Sequence, residues 1–178
     1  MKKIRKKIMI SILLPSILLL AIILSLLIPY KQALVFLQPE QNKILCYAPI
    51  AAGERFKIKY KHSIHLSDVL ESYEVTGQGH IRQYELEYED FAIGMPSEPA
   101  EGEKFETRDG KYYLENMNRE FEQFDLRVGK VRANHTLVLD NSSYPLANAI
   151  EPGTRVRVLI KKMNLLQQME GVNILDEK

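Results

Sequence analysis

Residues 56–75 read FKIKYKHSIHLSDVLESYEV, and this stretch decides the fold. Apolar and polar residues alternate over 56–64, and over 69–76 a second strand would place Val69, Glu71, Tyr73 and Val75 on one face. Alternation with a period of two is typical of a β-strand that has one buried face. The outer face of the first strand would carry Lys57, Lys59 and Lys61. The stretch therefore predicts two antiparallel strands joined by a short turn.

The same type of pattern recurs along most of the chain. Further apolar or alternating segments occupy residues 33–38, 44–48, 84–89, 124–128, 135–139 and 156–160. Asp109-Gly110 is a strong signal for a two-residue hairpin turn. About nine short strands with frequent turns predict an all-β domain, an antiparallel β-sandwich or barrel. Residues 116–123 are compatible with a short helix, and the tail 163–178 with a weak helix or with disorder.

The N-terminal segment predicts a membrane anchor. Residues 1–7 contain five basic side chains, and residues 8–28 (IMISILLPSILLLAIILSLLI) contain no charge. A helix of that length reaches about 30 Å, the thickness of a bilayer core. Because no small-residue cleavage site follows, we expect a retained single-pass transmembrane helix over 8–28 rather than a cleaved signal peptide. The basic end would then stay cytoplasmic, with the β domain (29–162) outside the cell membrane.

Charge and cysteine content exclude several classes of function. The first 28 residues hold five basic residues and no acid, which leaves 19 basic and 23 acidic residues and a net charge of −4 in the remainder. A mildly acidic domain is unsuited to neutralise phosphates, so no nucleic-acid partner is expected. The single cysteine, Cys46, excludes an internal disulfide and multi-cysteine metal sites.

The hairpin places polar residues on its apolar face. A turn over residues 65–68 would create three cross-strand pairs there: His62 with Glu71, Tyr60 with Tyr73, and Ile58 with Val75. A buried His62 or Glu71 needs a polar partner, and in this pairing each residue would be the partner of the other. The pair is interpreted either as a structural contact that fixes the register or as the polar floor of a ligand pocket. The pocket would open at the hairpin mouth, beside His65.

Two other segments supply candidate residues. Gly94, Met95 and Pro96 belong to a loop rich in glycine and proline, which either connects two sheets or forms the rim of a binding site. His135 lies on an apolar strand face, as a core histidine or as part of the same pocket.

The sequence identifies no catalytic, metal or cofactor site. Adjacent residues of a strand point to opposite faces, which argues against proton transfer between His62 and Ser63. His62 and His65 lack a convincing third metal ligand. We therefore expect no catalytic residues, no metal and no cofactor.

Three motifs carry a family resemblance. They are Phe-x-Ile-x-Tyr-x-His-Ser-Ile (56–64), Glu71-x-Tyr73-x-Val75, and Phe91-Ala92-Ile93-Gly94-Met95-Pro96. The stretch from Ala33 to Lys162 resembles a small, uncharacterised bacterial family encoded beside TAXI-type TRAP transporters. That family favours smaller residues where this chain has Ala92 and Ile93. The resemblance implies an extracytoplasmic location and a transporter partner, and it supplies no catalytic residues.

Three classes of function follow. The first is a non-enzymatic accessory protein that is anchored in the lipid bilayer and acts with the membrane subunit of a TRAP transporter. The second is an independent module that binds a ligand or a component of the cell envelope. The third is an envelope hydrolase using His62, Glu71 or His135, which would require those residues to converge.

Overall fold

A computed structural model of the chain describes residues 2–91, 95–130 and 133–176, and the side chains of residues 2–8 and 10 lie outside this description. Helix α1 (Lys2–Leu27) precedes a domain built mainly of β-strands. The predicted all-β domain of antiparallel strands after an N-terminal helix is confirmed at this level. Among the described residues, no helix combines the length and apolar character needed to cross a membrane. The transmembrane assignment therefore stays a prediction.

The described strands form two sheets. In chain order they are β1 (Lys31–Gln38), β2 (Lys43–Pro49), β3 (Arg55–Lys61), β4 (Asp68–Val75), β5 (Ile81–Tyr88), β6 (Lys104–Arg108), β7 (Lys111–Phe121), β8 (Gln123–Arg127), β9 (Thr136–Leu139), β10 (Ser142–Pro145), β11 (Arg155–Met163) and β12 (Val172–Asn173). The five-stranded sheet has the order β12-β2-β1-β11-β8, and the seven-stranded sheet has the order β10-β9-β3-β4-β5-β7-β6. Neighbouring strands are antiparallel, except that β12 pairs in parallel with β2.

The main core contains the inward faces of both sheets. Leu34 and Phe36 from the smaller sheet are fully buried, and they belong to one cluster with Ile58 and Leu137 from the larger sheet. Burying each such side chain stabilises the fold by roughly 1.5–3 kcal/mol. The predicted alternation in β3 is confirmed, because Phe56 and Ile58 are buried while Lys57 and Lys59 are not.

A second apolar cluster covers another part of the larger sheet. It contains Val69, Leu86, Tyr88, Leu114 and Met117. Tyr60 packs against both this cluster and the main core. The inner face of the larger sheet is therefore divided into two apolar regions, with Tyr60 at their junction.

The predicted register of the first hairpin is wrong. The strands pair Ile58 with Glu71, Phe56 with Tyr73 and Tyr60 with Val69. His62 is therefore not the cross-strand partner of Glu71. The displacement is four residues along β4, and an even displacement leaves the side chains of the paired residues on their predicted faces. Ile64, which was predicted on the apolar face, instead lies beyond the end of β3 and is 61% exposed.

The loop that joins the strands is wider than predicted and is centred earlier in the chain, and this shift of its centre changes the register. The strands close at Lys61 and Asp68, whose carboxylate binds Lys59 Nζ at 2.7 Å and Lys61 Nζ at 3.0 Å. Within the loop, the amide of His62 donates to the carbonyl of Ser67 at 2.9 Å. The amide of Leu66 donates to the carbonyl of His62 at 3.0 Å, with Leu66 in the left-handed region at φ 59°. The ion pairs and the loop hydrogen bonds both favour the observed closure.

Two other local predictions have opposite outcomes. The Asp109-Gly110 turn joins β6 to β7, with φ of 51° and 77°, as a two-residue hairpin of this type requires. The short helix considered for residues 116–123 is wrong. That segment continues β7 and begins β8, because Arg119 and Phe121 pair with Gln83 and Ile81 of β5.

The C-terminal tail packs on the domain. Helix α2 (Leu165–Glu170) begins at Asn164, whose side chain and that of Gln167 form a reciprocal capping box. The strand β12 follows, and Ile174 after it is buried in the main core. Asn164 Nδ2 also donates to the carbonyl of Leu27 at 3.2 Å, so the tail contacts the end of α1.

A candidate ligand-binding cavity

A cavity of about 420 Å³ opens between the two sheets. Its lining residues come from β3, β4, β5, β7, β8 and the segment before β9: Tyr60, Glu71, Tyr73, Gln83, Phe121, Phe124, Asp125, Leu126 and His135. A larger depression of about 530 Å³ lies beside Tyr30 and Ala51. The carboxylate in that depression, Glu54, is exposed. The smaller cavity is the better candidate site because half-buried polar and aromatic groups converge in it.

Strand alternation brings the polar lining together. Tyr60, Glu71 and Tyr73 lie on the inward faces of β3 and β4. Gln83 of β5 is paired with Tyr73, and irregular pairing occurs next to both residues. Such irregularities redirect neighbouring side chains. The polar groups therefore meet at one point of the inner sheet face.

Glu71 is held by two tyrosine hydroxyls. Tyr73 Oη donates to Glu71 Oε2 at 2.7 Å, and Tyr60 Oη donates to Glu71 Oε1 at 3.2 Å. Burial raises the pKa of Glu71, and the two hydrogen bonds only partly oppose this effect. Burial, followed by the nearby Glu71 charge, raises the pKa of both tyrosines. The tyrosines therefore stay protonated as donors.

His135 is anchored by the backbone. The amide of Gly129 donates to His135 Nδ1 at 3.1 Å. The ring stacks on Tyr60 with 5.1 Å between centroids. Burial lowers the pKa of His135, which favours the neutral ring. Because Nδ1 accepts a hydrogen bond, the neutral ring carries its proton on Nε2.

Aromatic rings form one wall of the cavity. Tyr73 stacks on Phe124 at 5.4 Å between centroids and on Phe56 at 5.2 Å. Phe121 meets Phe124 edge to face at 6.1 Å. Since Phe124 belongs to the smaller sheet, this series of rings connects the two sheets. It provides flat apolar surfaces beside the Glu71 carboxylate.

The two carboxylates that line the cavity differ in their ion pairing. Among the described residues, its lining contains two carboxylates, Glu71 and Asp125, and no lysine or arginine. Asp125 forms ion pairs with Arg155 and, at 3.0 Å, with Arg157. These two guanidinium groups, Arg157 first, lower the pKa of Asp125. Among the described residues, Glu71 has no ion-pair partner within 4.0 Å, so its charge is not compensated.

The structure brings together four of the candidate residues identified from the sequence. Tyr60, Glu71, Tyr73 and His135 all line the cavity. The two loop histidines predicted beside them do not line it. Instead, the rings of His62 and His65 lie near each other, with 5.8 Å between centroids.

The loop after β5 contacts a different region. Met95 packs against the second apolar cluster, and the carbonyl of Pro96 accepts a hydrogen bond from Tyr88. Gly94 lies outside the described residues. The structure therefore does not place Met95 or Pro96 at the cavity.

Sequence reasoning missed Gln83, Phe121 and Phe124. A polar residue two positions after the apolar Ile81 was a usable signal for Gln83, although the irregular pairing of β5 obscures the alternation. The two phenylalanines gave no comparable signal, because their convergence depends on how the sheets pack. Within the described part of the chain, no group of three or more histidine, cysteine or acidic residues could hold a metal.

Comparison with known proteins yields one family. A family model described as a "Domain of unknown function (DUF1850)" matches residues 56–146, which include every residue that lines the cavity. No curated protein and no solved structure matches the chain.

Proposed function

The chain belongs to the DUF1850 family, a domain of unknown function, and from its own cavity we propose that it is a non-enzymatic ligand-binding protein. It is tethered to the outer face of a membrane, where it assists a TAXI-type TRAP transporter. The observation that carries the binding role is the convergence of Glu71, two tyrosines, Gln83 and His135 on one cavity beside a wall of aromatic rings. Small-molecule sites commonly combine an apolar lining with a few convergent polar groups.

The composition of the cavity favours binding over catalysis. Its described lining contains no serine, threonine or cysteine, and the two residues of the hydrolase alternative that line it, Glu71 and His135, are both held by hydrogen bonds within the protein. Both oxygens of Glu71 accept hydrogen bonds from tyrosines. Those bonds fix the position of the carboxylate, as a recognition group requires.

Residues 8–28 supply the proposed tether. This run of 21 uncharged residues follows five basic ones, and it includes Ile8 and Ile10, whose side chains lie outside the described residues. Apolar side chains along α1 are exposed, for example Leu14 at 64% and Leu18 at 63%. A helix that is apolar on all sides needs an apolar environment, which a bilayer offers. The basic N-terminal residues favour a cytoplasmic start and an extracytoplasmic β domain.

The transporter partner is proposed from the family resemblance. A tether confines the domain to the vicinity of the bilayer, where it meets a membrane partner at high effective concentration. On the outer face of the larger sheet, β4 separates a row of basic side chains on β3 (Lys57, Lys59) from a row of acidic ones on β5 (Glu85, Glu87). Within the domain, Lys59 is also paired with Asp68, and Glu87 with Lys111. Such rows orient a docking protein.

Deletion of the gene in a strain that carries the transporter tests this function. Uptake of the transported solute should fall, and expression of the wild-type protein should restore it. The transporter membrane subunit should co-purify with the tagged protein. Unchanged uptake without co-purification would favour an independent binding module.

A further inference from the structure

We propose that the cavity binds a small organic ammonium compound, whose cationic nitrogen lies against Glu71 and whose apolar part lies on the aromatic wall. This inference rests on the proposed binding function and adds the chemical class of the ligand. It follows from three features of the cavity, namely its charge, its hydrogen-bonding groups and its rings.

The charged groups of the cavity indicate whether the ligand is a cation or an anion. Glu71 is half-buried and has no ion-pair partner among the described residues. The other carboxylate of the lining, Asp125, is already paired with Arg155 and Arg157. An anionic ligand would meet Glu71 without any lysine or arginine in the described part of the lining to receive it. A cationic ligand would instead compensate the isolated carboxylate.

The hydrogen bonds around Glu71 favour a ligand that donates protons. Tyr60 and Tyr73 each use the hydroxyl proton to bind Glu71. Their oxygen atoms keep lone pairs that accept hydrogen bonds. Gln83, which is 8% exposed and lines the same cavity, adds an amide oxygen, while its amide nitrogen and the Nε2–H of His135 are donors in the lining. An ammonium group presents N–H donors to this set of acceptors.

The aromatic wall suits both parts of such a ligand. The faces of tyrosine and phenylalanine rings attract cations, and they also pack against apolar groups. Tyr73, Phe124 and Phe121 form a continuous series of rings next to Glu71. The volume of about 420 Å³ fits a small molecule.

Three probes that share one ring separate charge from shape. Phenethylammonium is cationic, 2-phenylethanol is neutral, and phenylacetate is anionic. We would titrate each into the full-length protein in detergent and measure binding by calorimetry. Phenethylammonium should bind at least about tenfold more tightly than 2-phenylethanol, and phenylacetate most weakly.

Two variants test whether Glu71 causes the preference for the cationic probe. Glu71→Gln removes the charge but keeps a side-chain oxygen for the tyrosines, so it should abolish the preference for the cation. Glu89→Gln removes a carboxylate outside the cavity lining and should leave the preference intact. Thermal unfolding of both variants checks that they are folded.

Each contrary outcome has a definite meaning. If phenethylammonium shows no advantage, or keeps its advantage in Glu71→Gln, the ammonium assignment is wrong. If 2-phenylethanol or phenylacetate binds instead, and Phe124→Ala weakens that binding, the cavity is a binding site for another class of ligand. If no probe binds, the ammonium proposal fails, while uptake and co-purification decide the proposed function separately.

Discussion

The hydroxyl of Tyr73 donates a 2.7 Å hydrogen bond to the carboxylate of Glu71, two residues earlier on the same face of β4. Tyr60 on the neighbouring strand β3 donates to the other carboxylate oxygen at 3.2 Å. A carboxylate at this inward position therefore links two strands through side chains. Its partners are two neutral hydroxyls, so its negative charge is solvated but not neutralised.

Replacement of Glu71 should separate the acceptor role of this side chain from its charge. Glu71→Ala leaves both tyrosine hydroxyls without their acceptor, and we expect a loss of about 1–3 kcal/mol in the free energy of unfolding. Glu71→Gln keeps an acceptor oxygen and removes a charge that burial disfavours, so it should cost much less. Chemical denaturation measures both changes.

The control for this comparison is Glu89→Ala, outside the cavity lining. That substitution should change the unfolding free energy by at most about 0.5 kcal/mol. Equal losses in Glu71→Ala and Glu89→Ala would contradict the structural role of the tyrosine–carboxylate contacts.

The faces of the hairpin could be predicted from the sequence, but its register could not. Alternation assigns Tyr60, Glu71 and Tyr73 to the inner face under either closure of the loop. The choice between closures depends on tertiary details, such as Leu66 at positive φ and the two lysines on Asp68. Leucine seldom adopts that conformation, and no sequence rule predicts it here.

The composition of the cavity was predictable only in part. Tyr60, Glu71 and Tyr73 come from one continuous pattern, whereas Phe124 comes from β8, whose position depends on its pairing with β11. Local periodicity predicts which way a side chain points, and it does not say which sheet will face it. The aromatic wall therefore became visible only in the structure.

His135 should make the fold sensitive to mild acid. Burial lowers its pKa in the folded protein below the ordinary value of about 6.5, so the unfolded chain binds a proton more readily. This contribution to stability is present above about pH 6.5 and is lost as the pH falls below it. His135→Asn replaces the titrating acceptor of the Gly129 amide with a non-titrating one.

The unfolding free energy of both proteins is measured between about pH 7.5 and about pH 5, a range that spans the ordinary histidine pKa. Each value is expressed relative to that of the same protein at the upper end of this range. Wild type should lose more stability than His135→Asn over this interval. Parallel curves would show that protonation of His135 does not oppose folding.

Gly171 should be required for docking of the C-terminal tail. A Cβ at this position would lie 2.6 Å from Ile44 Cγ2 and 3.3 Å from Tyr47 Cδ1, and both of these side chains are buried. Gly171→Ala should therefore destabilise the protein by about 1–3 kcal/mol. It should also speed hydrogen exchange at the amides that follow it. Gly77→Ala is the matched control, because a Cβ there meets no atom within 4 Å. Faster exchange in Gly77→Ala than in Gly171→Ala would contradict the close packing of the tail.

Retention of residues 1–28 in the mature protein is the prediction on which the tether depends. The uncharged run 8–28 is longer than the apolar core of a cleavable signal, and it ends in Leu26, Leu27 and Ile28 rather than in small residues. Native protein from the membrane fraction should therefore retain residues 1–28, as N-terminal sequencing and intact mass would show. A charge at the centre of a membrane helix costs about 2.5–3.5 kcal/mol, so Leu18→Arg should reduce the fraction of protein that resists carbonate extraction. Leu18→Ile, which keeps the apolar character, should not reduce it. A mature chain that begins near residue 30 would contradict the tether, because the β domain would then leave the membrane after cleavage.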